Sequence, residues 1–222
     1  MKPTFRDALR ERVLFLDGAM GTQIHAANLE LERDFLGLEN CSEVVNLTRP
    51  DVIGSIHERY FAAGCDAVET NTFGGMSHVL AEFGLEARTR EINATAVRVA
   101  RAAADKHSTP EKPRFVLGSM GPGTKLATLG HIEFDTLRAS YFTQAQGLIE
   151  GGVDAFLLET CQDPLQIKAA LSAIRAAQKE AGTDLAVIVS VTMEVTGTML
   201  VGTEMAAAIA LLDPFDIDMI GL

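Results

Sequence analysis

A chain of 222 residues that is 47% hydrophobic and 22% charged can bury a full core, so disorder does not dominate it. Its formal charge of −11 argues against a polyphosphate partner, which would need clustered Lys and Arg to grip it. Neither the opening Met1-Lys2-Pro3-Thr4-Phe5-Arg6-Asp7 nor any later stretch offers the apolar run of a secretory signal or of a membrane span of about 18 residues, and a cytoplasmic protein is expected.

In chain order, short apolar runs predict strands over 13–16, 66–69, 115–118, 155–159, 185–192 and 218–222. Most are apolar at consecutive positions, as strands covered on both faces should be. Between them lie stripes at helical spacing: Ile53, Ile56 and Tyr60; Ile92, Ala96, Val99 and Ala103; Leu137, Tyr141 and Leu148; Ile167, Leu171 and Ile174. Helix boundaries are signalled by a capping-box pattern at Thr48-Arg49-Pro50-Asp51, by Asp163 before Pro164, and by Gly64 and Gly151-Gly152 as stops. Residues 22–47 and 119–134 read as long connections of the functional or lid-like kind. Cys41, Cys65 and Cys161 are widely spaced and predict buried free thiols in a reducing compartment.

Strict alternation of strand and helix fits either a doubly wound sheet or a (β/α)8 TIM barrel. The apolar strand at 218–222 has no helix after it to cover it, which favours a barrel of about six strands, truncated at its C-terminal side and forming one domain over 1–222.

In a barrel the loops after the strands build the site. Four such loops are rich in polar groups: Asp17-Gly18-Ala19-Met20-Gly21-Thr22, Glu69-Thr70-Asn71-Thr72-Phe73-Gly74-Gly75, Gly118-Ser119-Met120-Gly121-Pro122-Gly123-Thr124, and Glu159-Thr160-Cys161-Gln162-Asp163. Asp17 and Glu159 end two strands with no Lys or Arg beside them, and a desolvated carboxylate needs a cation or several donors. A substrate ammonium would serve, while the glycines beside Asp17 would admit a substrate carboxylate to backbone N–H groups. The alternative is that Asp17 starts a turn and Glu159 pairs with a distant Arg. Glu69, Thr70, Asn71 and Thr72 either orient a ligand or brace the mouth, and Asp163 reads as a helix N-cap. The stretch ending Thr124-Lys125 lacks the Lys-Ser/Thr order of a phosphate loop, and His25, His57, His78, His107 and His131 show no metal-binding spacing. Met20, Met76, Met120 and Met193 are expected to pack.

Leu16-Asp17-Gly18-Ala19-Met20-Gly21-Thr22-Gln23, Asn46-Leu47-Thr48-Arg49-Pro50, Val68-Glu69-Thr70-Asn71-Thr72-Phe73-Gly74, Gly121-Pro122-Gly123-Thr124 and Leu158-Glu159-Thr160 follow one another along the chain. Together they resemble the homocysteine S-methyltransferase domain family, most closely as it occurs at the N-terminus of cobalamin-dependent methionine synthase. The resemblance implies a (β/α)8 barrel that binds homocysteine and zinc. It implies that Asp17, Gly18 and Glu159 hold the amino acid part of homocysteine, with Asn71 and Thr72 at the mouth of the same pocket. The family's zinc is held by three cysteine thiolates; Cys41, Cys65 and Cys161 match none of them, so the ligands are expected beyond Leu222 and the chain alone is expected to be inactive. The implied donor is methylcobalamin recharged by a methylated folate, both carried by further modules. Betaine or S-methylmethionine as donor, and a non-catalytic amino-acid-binding module, are the alternatives.

Overall fold

The computed structural model describes residues 3–222. The apolar runs form one parallel sheet of β1 (Ala67–Glu69), β2 (Phe115–Met120), β3 (Ala155–Cys161), β4 (Ala186–Val191) and β5 (Met219–Gly221), in the order β1-β2-β3-β4-β5. Helices α1 (Phe5–Glu11), α2 (Gly21–Ala26), α3 (Leu31–Asp34), α4 (Val45–Thr48) and α5 (Pro50–Ala63) precede β1. Then α6 (Ser77–Leu80) and α7 (Thr89–His107) lead to β2, α8 (Phe134–Gly151) to β3, α9 (Pro164–Ala181) to β4, and α10 (Met205–Leu212) to β5. Every strand pairs with its immediate predecessor, without the reversal of order that defines a doubly wound sheet. The architecture is an incomplete (β/α)8 barrel.

Strand alternation sorts the side chains into two cores. Ala67, Phe115, Leu117, Ala155, Leu157, Ala186 and Ile188 form the inner cluster. Val68, Val116, Phe156, Leu158, Val187 and Val189 turn outward onto α5, α7, α8 and α9, whose stripes supply Phe61, Val97, Leu137, Tyr141, Ile167 and Leu171. Helix α1 closes the inner cluster from the amino-terminal end of the strands. Its capping box is reciprocal: the Asp7 N–H donates to Thr4 Oγ1 and the Thr4 N–H donates to Asp7 Oδ2, each at 3.1 Å. Phe5 then meets Phe115 edge-on at 5.5 Å between ring centroids.

Three aspartates lock the same end. Asp66, Asp154 and Asp218 each stand just ahead of a strand and reach to the neighbouring segment, accepting the backbone N–H of Phe15 (2.9 Å), Val116 (2.7 Å) and Val187 (2.8 Å). Each also meets an arginine: Arg12 at 2.9 Å, Arg101 at 2.5 Å and Arg6 at 2.5 Å. Burial alone would raise the Asp66 and Asp218 carboxyls, but the bonds from Arg12 and Arg6 with those backbone donors bring both below the usual carboxylate range.

Three expectations change. The strand over 13–16 reduces to one parallel bridge, Leu16 to Ala67, because this segment has a sheet neighbour on one side only; Val13 and Phe15 stay 78% and 68% exposed. The capping box at 48–51 does not form. Thr48 ends α4, so its hydroxyl donates instead to the carbonyls of Asp34 and Val44, and α5 starts at Pro50 behind an Arg49 cap that makes no side-chain bond. Residues 22–47 are no bare connection but carry α2, α3, α4 and a 3-10 turn, folded onto α5 and α7 through Ile24, Val44, Val45, Ile53 and Ile92. The other boundaries form as expected. Asp163 accepts the Leu165 N–H at 2.8 Å ahead of Pro164, while Gly64 and Gly152 end α5 and α8 in the left-handed conformation. All three cysteines are buried and free. Among the described residues no helix is long and apolar enough to cross a membrane.

Candidate active site

The inner face that is apolar low in the barrel becomes polar at the carboxyl ends of the strands. Two residues beyond Ala67, Leu117 and Leu157, the same alternation brings Glu69, Ser119 and Glu159 to the mouth. Asp17 joins them directly after the Leu16 bridge, its N–H donating to the Ala67 carbonyl at 3.1 Å. The result is a cavity of about 450 Å³ lined by these four side chains together with Gly18, Met20, Asn71 and Phe73. Among the described residues no Lys, Arg or His lies in its lining.

Two carboxyls have a donor in the fold. Asp17 accepts the Glu69 backbone N–H at 3.0 Å, and Glu159 accepts the Ser119 hydroxyl in a short hydrogen bond. These bonds do not offset the loss of water. Burial raises Asp17 to about 7 despite its backbone donors, with the nearby Glu159 adding to the rise. Burial, then Glu159 and Asp17, push Glu69 up to about 8. Glu159 is raised by burial against the opposing Ser119 bond.

A bulge positions Glu159. The register of β3 on β4 passes from Leu158–Val189 to Cys161–Val191, so Glu159 and Thr160 together face a single partner residue. Thr160 takes φ +57°, a left-handed conformation that a β-branched residue adopts only at a cost of about 1–3 kcal/mol. The extra residue resets the alternation: Cys161, which would otherwise follow Glu159 into the mouth, joins the outer cluster. A second close approach shapes the rim, where Gly121 donates to the Phe73 carbonyl at 2.9 Å and a Cβ at this glycine would stand 2.7 Å from the same oxygen.

Residues 14–222 match the family model described as "Homocysteine S-methyltransferase". The chain belongs to the homocysteine S-methyltransferase family. It is 51% identical over 216 residues to the methionine synthases of Mycobacterium tuberculosis and Mycobacterium leprae, matching 97% of this chain but spanning only 18% of each relative's length. Among solved structures it is similar to the homocysteine methyltransferase MmuM of Escherichia coli. The metallated form gives a TM-score of 0.78 at 23% identity over 94% of this chain and 73% of that one. The apo form gives 0.75 at 23% over 96% and 73%. At that identity the likeness is one of fold.

Within this family fold, four of the residues singled out in the sequence, Asp17, Gly18, Asn71 and Glu159, come together around one cavity. Thr72 does not join them. It is fully buried, its hydroxyl donates to the Ser119 carbonyl at 2.7 Å and lies 2.6 Å from Thr70 Oγ1, and its own carbonyl accepts from Gln144 Nε2 at 2.8 Å. Asn71 reaches the cavity while tying down its floor: its amide donates to the Ser42 carbonyl at 2.8 Å, and its own carbonyl accepts from Asn46 Nδ2 at 2.7 Å. Glu69, weighed in the sequence as ligand group or brace, stands in the cavity. Ser119 and Phe73 were not singled out; for Ser119 the signal was its place two residues beyond inward-facing Leu117.

The distant arginine considered as a partner for Glu159 is absent among the described residues, where Ser119 fills that place. Nor do the residues fit the zinc that the resemblance implies. Among the described residues no three His, Cys, Asp or Glu side chains converge to hold a metal. The thiols sit apart in the core, and burial pushes Cys41 and Cys65 to about 11 and Cys161 higher still.

Proposed function

We propose that this chain is the homocysteine-binding part of a methionine synthase, receiving homocysteine as the methyl acceptor that becomes methionine. The observation that carries this reading is the cavity at the barrel mouth, where carboxyls are gathered with no Lys, Arg or His among the described residues of the lining. A buried carboxylate without a counter-charge is costly, and the ammonium of an amino acid supplies one. Asp17 and Glu159, each already oriented by a hydrogen bond, receive the ammonium. Gly18 leaves its backbone open to the ligand's carboxylate, Asn71 fixes the floor, and Thr72 braces the strand ends behind it. Phe73 and Met20 offer apolar surface to the thioalkyl arm.

The family's zinc, when bound, supplies the activation of sulfur; the residues described do not hold it, and its ligands belong to other parts of a longer protein. The relatives' greater length supports the same assignment for the methyl donor, with methylcobalamin and a methylated folate on further modules. Three buried, unpaired thiols suit a cytoplasmic setting.

Titration of L-homocysteine into the full-length protein and its Glu159→Gln variant tests the reading. Loss of the charge facing the ammonium is expected to weaken binding at least about tenfold, or about 1.4 kcal/mol. Equal affinity would remove Glu159 from the ammonium site. Methyl transfer assayed in parallel with methylcobalamin plus methylfolate, with S-methylmethionine and with betaine assigns the donor.

A further inference from the structure

We propose that Glu69 works in this site as a neutral carboxylic acid, keeping its proton when the amino acid binds and acting as a hydrogen-bond donor beside two ionised carboxylates. The inference rests on the amino acid reading above and adds a residue and a charge state to it.

The argument begins with a charge count. Asp17, Glu69 and Glu159 line one cavity that has no Lys, Arg or His in its lining. A zwitterionic amino acid brings one ammonium and one carboxylate, so its net contribution is zero. With all three protein carboxyls ionised, the occupied cavity would carry three uncompensated negative charges largely withdrawn from water, and like charges so confined do not all ionise. One carboxyl retains a proton, and hydrogen bonding selects which. Asp17 has the Glu69 backbone N–H and Glu159 has the Ser119 hydroxyl, both donors that favour the ionised form. The Glu69 carboxyl has neither a hydrogen-bond donor nor an ion-pair partner among the described residues, so nothing in the fold favours its anion.

The groups around it agree. The segment before β1 contributes Asp17, β2 only the uncharged Ser119, and β3 Glu159. From the α5 side come Tyr60 and Cys65, both raised by burial and neutral near pH 7. The turn at 42–44 adds Ser42 and Glu43, the latter accepting the Gly74 N–H at 2.7 Å. Burial, with Glu159 and Asp17, sets Glu69 at about 8, above Asp17 at about 7. Since the protonated acid is the binding form, the contribution of Glu69 to affinity is complete below that value and is lost as the pH rises through it, whereas Asp17 contributes as an anion and favours binding as the pH rises through about 7.

The test is calorimetric titration of L-homocysteine into full-length wild type, Glu69→Gln and Glu69→Asp across about pH 6 to 9, a range that spans the titration. Dividing wild type by variant cancels the titration of the ligand's own amine and thiol. Glu69→Gln, a neutral donor of the same shape, is expected to bind within about threefold of wild type at the acid end and to lack the additional alkaline fall, which Glu69→Asp keeps. A loss of about tenfold or more for Glu69→Gln at the acid end would make Glu69 an ionised ligand of the ammonium and overturn the inference. Parallel alkaline curves for wild type and Glu69→Gln would overturn it as well. If Glu69→Gln does not fold, the infrared difference spectrum of wild type decides: a protonated carboxyl band that persists in the homocysteine complex supports the inference, and its disappearance on binding overturns it. Failure of wild type to bind homocysteine at any pH would overturn the amino acid reading and this inference together.

Discussion

The two ends of the barrel use the same chemical group in opposite ways. At the amino-terminal end Asp66, Asp154 and Asp218 each meet an arginine and a backbone N–H, so the fold itself compensates their charge. At the carboxyl end Asp17, Glu69 and Glu159 gather with no cation, and compensation is left to whatever binds. Identical carboxyls are therefore structural where the partner is built in and, on the proposed reading, bind ligand where it is missing. This division agrees with the general habit of barrels, in which one face carries stability and the other carries chemistry.

Substitutions can break or sharpen that contrast. The largest effect is expected at the closed end: Phe5→Ala empties the plug against Phe115 and should cost about 3–5 kcal/mol in denaturant unfolding, with homocysteine affinity of the folded protein unchanged. A fall in affinity would show that the ends are coupled. Asp154→Ala strips Val116 of its acceptor and leaves Arg101 only the Gly152 carbonyl, and should cost about 2 kcal/mol, again without effect on binding. The effect at the open end has the opposite sign. The Asp17 carboxyl is raised from its ordinary value to about 7, so the folded state holds a proton there that the unfolded chain releases. Its contribution to stability is present in acid and lost as the pH climbs toward 7. Asp17→Asn should abolish that loss, and its melting temperature should gain on wild type from acid to neutral pH, by about 2–4 °C for each kcal/mol of the loss, measured by calorimetry without ligand. A constant gap between the two proteins would mean that Asp17 is ionised throughout.

Much of this was legible in the residues. Consecutive apolar runs gave the strands because both faces of a parallel sheet are covered, and Asp163-Pro164 and Gly64 marked helix ends because their requirements are local. That Asp17 and Glu159 would reach one mouth could be read from their position after apolar runs. Features that depend on partners distant in sequence were not legible. Whether 13–16 pairs as a strand depends on what lies on its other side, and the Thr48 hydroxyl is claimed by Asp34, fourteen residues earlier. Thr72 looked equivalent to Asn71, but the tight turn after β1, in which the Thr72 N–H donates to the Thr70 carbonyl, buries it against Ser119 and Gln144. The left-handed Thr160, which keeps Cys161 out of the mouth, has no sequence signal because threonine rarely adopts that conformation. The recurring Asp ahead of three apolar runs was a readable pattern whose use only the pairing of neighbouring strands revealed.

The plug helix also bears on the order of assembly during synthesis. Each strand pairs with the one made just before it, so successive βα units can dock as the ribosome releases them. Helix α1 is the exception. It is made before every strand it covers, yet Arg6 must wait for Asp184 and for Asp218, 212 residues later, and Phe5 for the sheet. An element made ahead of the strands is thus among the last to settle, and the amino-terminal side of the inner apolar face stays uncovered until the fifth strand is in place.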